Sequence, residues 1–366
     1  MTKVYWKNFL FSKVRIKRIL LTTLKVSILI FFLIFGVGPI IFKLSWTLQR
    51  NVLFLNFLDY PKNVDYSSPE KYGLPGARNL YVKTDDGINL GVWQILPSNL
   101  LEVNETNRNS SEYFDNVLNN GQPVMLYMHG NSGNRAGEHR VVMYQNMRKI
   151  FHVITFDYGG YADSTYREPN ETNVVSDGKF MVNWVRNKTN GPIFIWGHSL
   201  GTGVSTHVLD ILANEDGFEA NGLILECPFN NLHDEIAEHP FARPFKDLPW
   251  FDYLVPDAMY GNGLRFESDK HILNFKAPIV ILHAEDDGVV PFHLGKKLHE
   301  VALQFRTKGQ APVTFHRFDG KHAYGHKWIA KAPETLEIIS EFVKKYSNQD
   351  KKNEHQRHLD IKNLSS

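Results

Sequence analysis

Ser199 stands in Gly197-His198-Ser199-Leu200-Gly201, after the apolar run Pro192-Ile193-Phe194-Ile195-Trp196 and before a stretch with helical patterning that begins at Thr202. A glycine-flanked serine between a strand and a helix sits on a sharp turn with its hydroxyl exposed, and the glycines are needed because a Cβ would strike the neighbouring strand or helix. The helix that follows turns unpaired N–H groups and its positive dipole end toward developing negative charge. A serine hydroxyl also needs a general base within hydrogen-bond reach and an acid that orients that base. Downstream, Ala284-Glu285-Asp286-Asp287-Gly288-Val289-Val290-Pro291 follows one strand-like run, and His322 and His326 follow another. Serine, acid and histidine therefore arrive in that order, each just beyond the end of an apolar run. The chemistry they could perform together is acyl transfer through a covalent acyl-serine.

Asp286 and Asp287 are adjacent, so their side chains point in different directions, and the spacing to Pro291, four residues beyond the second of them, selects Asp287. His322 and His326 are four apart, which on one helix face would suit a metal. Neither a third ligand nor an H-E-x-x-H run accompanies them, so no metal and no cofactor are expected, and both histidines remain candidates for the base. The developing oxyanion needs two preorganised donors. The backbone N–H of Leu200, next to the serine, is one candidate, and that of Asn131 in His129-Gly130-Asn131-Ser132-Gly133 is the other. His129 reads as a structural brace for that loop, and Cys227, at the end of an apolar run, as inert packing.

These residues must be positioned by a sheet. Short continuous apolar runs at 124–128, 152–156, 193–196, 223–227, 279–283 and 313–318 fit strands covered on both faces. Helical patterns separate them, with Leu294, Leu298, Val301 and Phe305 in one and Leu336, Ile339, Val343 and Tyr346 in another. Such alternation predicts a mostly parallel central sheet with helices on both faces, its ligands bound at the carboxyl ends of the strands. An Asp86-Gly87 step between two alternating runs predicts a leading β-hairpin. Residues 98–121 read as an exposed polar loop. Residues 228–275 interrupt the alternation with Phe229, Phe241, Phe245, Trp250, Phe251, Tyr253 and Phe266 among prolines, and fit an inserted cap. The domain so defined covers 78–346, followed by a polar tail at 347–366.

The composition, 43% hydrophobic and 22% charged, is that of an ordinary globular chain, but the net charge of +2 conceals an asymmetry. Lys3, Lys7, Lys13, Arg15, Lys17, Arg18 and Lys25 all precede the first acidic residue, Asp59, so the remainder of the chain is net acidic. The basic run abuts residues 26–42, a charge-free stretch of about 25 Å as a helix. This pattern predicts a transmembrane signal anchor at 26–46 rather than nucleic-acid binding or a cleaved leader. A basic tail at 1–25 would stay cytosolic and the rest of the chain would cross the membrane. Sequons at Asn104, Asn109, Asn170 and Asn187 agree with that orientation, as does one in the tail at Asn363. The juxtamembrane segment 47–77 opens on an apolar, aromatic stretch through Leu58, which suits a helix packed on the domain or one lying in the membrane interface.

Tyr127-Met128-His129-Gly130-Asn131, Ile195-Trp196-Gly197-His198-Ser199-Leu200-Gly201-Thr202-Gly203, His239-Pro240-Phe241 and His283-Ala284-Glu285-Asp286-Asp287-Gly288-Val289-Val290-Pro291-Phe292 closely resemble the membrane-anchored lysophosphatidylserine lipases of the abhydrolase-12 family. The likeness runs from about Tyr60 to Tyr346 and includes the basic tail and the single span. It implies an α/β-hydrolase fold, with the second aspartate as acid and the histidine of Ala323-Tyr324-Gly325-His326-Lys327-Trp328 as base, which selects His326. It further implies an endoplasmic-reticulum membrane enzyme, its catalytic domain lumenal, hydrolysing lysophosphatidylserine and monoacylglycerols. An arginine of the family motif is replaced here by Gly159 in Asp157-Tyr158-Gly159-Gly160-Tyr161-Ala162-Asp163-Ser164. Two other readings compete. A thioesterase acting on acylated protein cysteines would share all of this chemistry, whereas a non-catalytic anchored module predicts a decayed site and the sequence shows an intact one.

Overall fold

The computed structural model describes residues 2–101 and 110–347, so Asn104, Asn109, Asn363 and the tail from residue 348 lie outside the described residues. At the N-terminus α1 (Thr2–Phe32) passes through a π-helical turn (Leu33–Val37) into α2 (Gly38–Leu44). The turn precedes Pro39, whose ring would clash with the carbonyl four residues back in a regular helix. Arg15–Leu44 is a helical run long and apolar enough to cross a membrane, with a most apolar window of mean hydropathy 2.4, only 6% of it buried. It is compatible with single-pass anchoring.

Ser45 breaks the run and caps α3 (Trp46–Leu53), accepting from the Leu48 N–H. One face of α3 buries Gln49, Arg50 and Leu53, and Phe54 follows into the core, while Leu48 and Val52 stay exposed. The segment therefore packs on the domain along one side only.

The hairpin consists of β1 (Ala77–Lys83) and β2 (Asn89–Ile95). It is followed by α4 (Ser111–Leu118), β3 (Val124–Met128), α5 (Glu138–Met147), β4 (His152–Phe156) and α6 (Glu171–Lys188). Next come β5 (Ile193–His198), α7 (Leu200–Asp216) and β6 (Gly222–Glu226). Four short helices then intervene, α8 (Leu232–Glu238), α9 (Phe251–Leu254), α10 (Pro256–Gly261) and α11 (Ser268–His271). The chain closes with β7 (Ile279–Ala284), α12 (Phe292–Phe305), β8 (Val313–Phe318) and α13 (Pro333–Tyr346).

Among the described residues eight strands form one sheet in the order β1-β2-β4-β3-β5-β6-β7-β8. The pairs β1/β2 and β2/β4 are antiparallel and the others parallel. Alternate side chains of one strand enter opposite layers. Leu126 and Met128 pack with α6, α7 and α12, whereas Met125 and Tyr127 pack with α5 and α13. Trp93 and Trp196 are fully buried. Each large apolar side chain so covered contributes about 1.5–3 kcal/mol. The register that pairs Met128 with Gly197, His198 with Glu226 and Ala284 with Phe318 aligns the carboxyl ends of the central strands on one edge.

One expectation is corrected. Within 98–121, α4 forms with Ser110 as its N-cap, because Phe114 and Leu118, four apart on one face, are both buried. In the cap, Phe229, Phe251, Phe266 and Phe275 are core residues, whereas Phe241 is 84% and Tyr253 63% exposed. Much of the aromatic content thus belongs to the domain core, with Phe251 among it.

Candidate active site

Ser199 lies between β5 and α7 with φ 54° and ψ −122°, a backbone conformation that strains a residue with a Cβ. Hydrogen bonds on both sides hold it there. Its N–H donates to the Glu226 carbonyl at 3.0 Å, and its carbonyl accepts from the Thr202 N–H at 2.8 Å and hydroxyl at 2.6 Å. A Cβ on Gly201 would overlap the Met128 carbonyl oxygen, and one on Gly197 would overlap that of Gly201. The two glycines are therefore the condition for so tight a reversal. Ser199 is 9% exposed.

Beyond β7 and β8 the structure joins Asp287 to His326, with Oδ2 and Nδ1 2.7 Å apart. Asp287 Oδ1 accepts from the N–H groups of Val289 at 2.8 Å and Val290 at 2.9 Å, and His283 Nε2 lies 3.4 Å from Oδ2. Burial by itself would raise this carboxyl. The hydrogen bonds from His283 and His326, with the electrostatic attraction between each ring and the carboxylate, outweigh it and hold Asp287 well below the usual carboxylate range. With Nδ1–H donated to Asp287, Nε2 of His326 is the nitrogen left to take a proton. Asp286 turns the other way and accepts from the Gly325 N–H at 3.0 Å. His322 is exposed and stacks on Tyr324 with ring centroids 5.7 Å apart.

His198 ties the histidine loop to the turn that carries Ser199. Its Nε2 donates to the His326 carbonyl at 2.8 Å, and the two rings lie 4.9 Å apart. Burial first, and the adjacent His326 second, push His198 down to about 3, so it is a neutral donor. Cys227, also at positive φ, lies beneath the same loop with Sγ 3.8 Å from the His326 carbonyl. Burial and the charge of Asp287 raise its thiol far above the ordinary value, which keeps it protonated.

Of the two expected oxyanion donors, Leu200 directly follows Ser199, and the loop of Asn131 approaches it at Gly130, where an added Cβ would stand 3.3 Å from that of Ser199. Leu200 is the first residue of α7, so its N–H has no intrahelical acceptor. The Asn131 loop is braced from three directions. The Asn131 carbonyl accepts from the Leu55 N–H at 2.9 Å and the Tyr161 hydroxyl at 3.0 Å. Buried Arg140 donates to the Ser132 carbonyl at 2.6 Å and the Asn134 carbonyl at 2.5 Å, placing a fixed cation under the loop. His129 is fully buried, its Nδ1 2.6 Å from the Gly130 oxygen and its ring 4.5 Å from that of Tyr158. At Gly159 a guanidinium is supplied from the next loop. The Arg167 Nε lies 3.3 Å from where a Cβ on Gly159 would stand, and this arginine pairs with Asp177.

Two cap residues respond to the charges of the site. Glu235, on α8, is hemmed in by protein, which together with the nearby charge of Asp287 pushes it up to about 8. His239, one turn further on, is half-buried and lowered by that burial and by His326. Sequence reasoning assigned no role to either, nor to His198 or Arg140, although His239 and His198 stand in the runs that carry the family resemblance. Glu235 and His239 form an i, i+4 pair at the cap entrance, and Arg140 precedes apolar positions. Of the glycosylation candidates, Asn170 is the N-cap of α6, accepting from the Asn173 N–H at 2.8 Å, and Asn187 is exposed on the same helix.

A family model described as the α/β hydrolase fold matches residues 123–246. The lysophosphatidylserine lipase ABHD12 of Danio rerio is 38% identical over 332 residues, covering 90% of this chain and 84% of that protein. Its namesake in Rattus norvegicus is 36% identical over 333 residues, covering 90% and 81%. The protein ABHD12B of Homo sapiens is 30% identical over 297 residues, covering 80% of each. Among solved structures, an esterase of Pyrococcus furiosus superposes with a TM-score of 0.57 at 17% identity, over 79% of this chain and 98% of that one. An α/β hydrolase of Vibrio vulnificus gives 0.57 at 17%, over 80% and 91%.

Proposed function

Because the chain belongs to the ABHD12 family of lysophosphatidylserine lipases, we propose that it is a membrane-anchored serine hydrolase that cleaves the acyl ester of lysophosphatidylserine and related monoacyl lipids, monoacylglycerols included. The observation that carries this reading is the 2.7 Å Asp287–His326 hydrogen bond, tied through His198 to the strained turn of Ser199. Ser199 Oγ attacks the ester carbonyl while His326 Nε2 takes the hydroxyl proton and Asp287 stabilises the imidazolium. Negative charge on the carbonyl oxygen is met by the N–H groups of Leu200 and Asn131. Collapse breaks the bond to the glycerol oxygen, which receives the proton from His326. A water molecule, deprotonated by His326, then hydrolyses the acyl-serine and releases the fatty acid.

A single acyl chain is costly to hydrate, at about 0.8 kcal/mol for each methylene group. An anchor that keeps the site beside the bilayer therefore favours substrates drawn from it. The test is a hydrolysis panel on detergent-solubilised protein with lysophosphatidylserine, monoacylglycerol and an acyl thioester. Wild type should turn over the two oxygen esters and Ser199→Ala should not. Preference for the thioester would replace this reading by a protein thioesterase, and absence of turnover with every lipid would leave an anchored module.

The proposed location is the endoplasmic-reticulum membrane with the N-terminus cytosolic, supported by the basic residues before the span and by the exposed sequon at Asn187. In a eukaryotic host Asn187 should carry an endoglycosidase-sensitive glycan that Asn187→Gln removes. A bare Asn187 together with a lumenal N-terminal tag would invert the orientation.

A further inference from the structure

The anchor helix is not bare along its whole apolar length. Phe35 is the first residue of the span to be partly covered by the domain, and its ring lies 4.9 Å from that of Phe245 in the cap. Further on, Lys43 places Nζ 2.9 Å from the centre of the Tyr253 ring and 3.3 Å from the Tyr253 carbonyl oxygen. Gln49, in α3, accepts from the Asn262 side chain at 2.7 Å. Three successive contacts thus fix the cap against the anchor.

These contacts also fix the depth of the cap. Phe35 precedes Lys43 by eight residues, or about 12 Å along a helix. A hydrocarbon core of about 30 Å needs about 20 helical residues, and the charge-free stretch between Lys25 and Lys43 supplies seventeen. Filling the core with that stretch puts the bilayer boundary near Lys43. Letting Lys25 snorkel and starting the span at Ile19 still carries the hydrocarbon to about Gly38. In both placements Phe35, and with it Phe245, lies inside the leaflet. The residues around Phe245 combine the aromatic and basic types found at a membrane interface, with one acid among them. Phe241 is 84% exposed and Trp250 partly so, the exposed cations Arg243 and Lys246 alternate with them, Asp247 is exposed beside Lys246, and Lys246 Nζ lies 3.5 Å from Glu238 Oε2.

We propose that residues 241–250 of the cap are seated in the bilayer leaflet from which the chain emerges, with Phe241 and Phe245 among acyl chains and Arg243 and Lys246 at the level of the lipid phosphates. The occupant of this surface is lipid rather than a protein. A cap held there opens beside the acyl chains of its own leaflet. The inference rests on the single-pass anchor and not on the identity of the substrate.

Cys227 is the only cysteine and is buried, so an introduced cysteine is the one thiol open to labelling. Phe241→Cys in a Ser199→Ala background, labelled with an environment-sensitive fluorophore, is reconstituted into vesicles of phosphatidylcholine and phosphatidylserine. Nitroxide lipids carrying the spin label high on the acyl chain are the quencher, and Leu303→Cys on the exposed face of α12 is the reference. The label at position 241 should shift to the blue and lose most of its intensity, while the label at 303 does neither. Equal, weak quenching at both sites would overturn the proposal and leave the cap in water or against a protein. If Phe241→Cys fails to fold, Arg243→Cys decides the question by the same comparison. No turnover is measured, so failure of the lipase reading leaves this result standing.

Discussion

Asp287 and His326 come from loops after different strands and meet through a 2.7 Å hydrogen bond between Oδ2 and Nδ1, while Asp286, one residue earlier, holds the backbone of Gly325 instead. Adjacent aspartates thereby face different partners, one the imidazole and the other the backbone of the loop that carries it. The division sets an order of sensitivity. Asp287→Asn and His326→Ala should each lower turnover on the order of 10³-fold or more, because such residues act as a unit. Asp286→Asn, which leaves an oxygen to accept from Gly325, and His322→Ala should cost far less. Steady-state hydrolysis of one lipid by the four variants decides the matter, and an inverted order in either pair reassigns that role.

The cap separates aromatic residues that pack from those that face outward. Phe241→Ser removes an exposed ring and should slow a long-chain monoacyl lipid in vesicles by about tenfold or more while sparing a short, water-soluble ester. Ten-fold corresponds to about 1.4 kcal/mol, within what one or two methylene contacts supply. Phe251→Ser instead opens the core and should cost about 3 kcal/mol or more of stability. Equal losses on both esters for Phe241→Ser would make that ring structural.

Glu235 is neutral below about 8 because burial and the charge of Asp287 both disfavour its ionised form. The sign follows directly. Below that pH the group is neutral and can donate a hydrogen bond, and above it the cap gains a negative charge. The KM for lysophosphatidylserine should rise as pH passes through about 8, whereas that for an uncharged monoacylglycerol should stay level. Glu235→Gln should remove the rise and leave kcat at pH 7 within a few-fold of wild type. A KM profile for the two lipids that is parallel across this range would take Glu235 out of head-group contact.

Glu226 carries a second pH-dependent effect, on stability rather than binding. It is fully enclosed, pushed up to about 7 by burial, and accepts from the Trp196 indole N–H at 2.9 Å. A folded-state value above the unfolded one means the neutral form is favoured in the fold. The associated stability is present below pH 4.5 and is lost as pH rises through 7. Glu226→Gln keeps an acceptor for Trp196 and should raise Tm at pH 8 relative to wild type, with little difference at pH 5. A pH-independent difference in Tm between the two proteins would show that Glu226 does not titrate in the fold.

The order of Ser199, Asp287 and His326, the strand runs that end just before them and the apolar span were all legible in the sequence, because each is a local pattern. Period and run length report which faces a strand or helix buries, and the glycines at 197 and 201 report a turn with no room for a side chain. The cap was legible only as an interruption. Whether Phe251 packs and Phe241 faces outward depends on which neighbours fill the space around each, and aromatic content is the same in both cases. The α4 helix was hidden by the polar residues around Phe114 and Leu118, whose burial depends on a surface made elsewhere in the chain. The division between Asp286 and Asp287, drawn from spacing, acquired its physical reason in the fold, where Gly325 claims one carboxylate and His326 the other. Glu235 and Arg140 were beyond any local pattern. The enclosure that neutralises one and the carbonyls that hold the other come from segments distant in sequence, and only tertiary structure sets the electrostatic environment of a side chain.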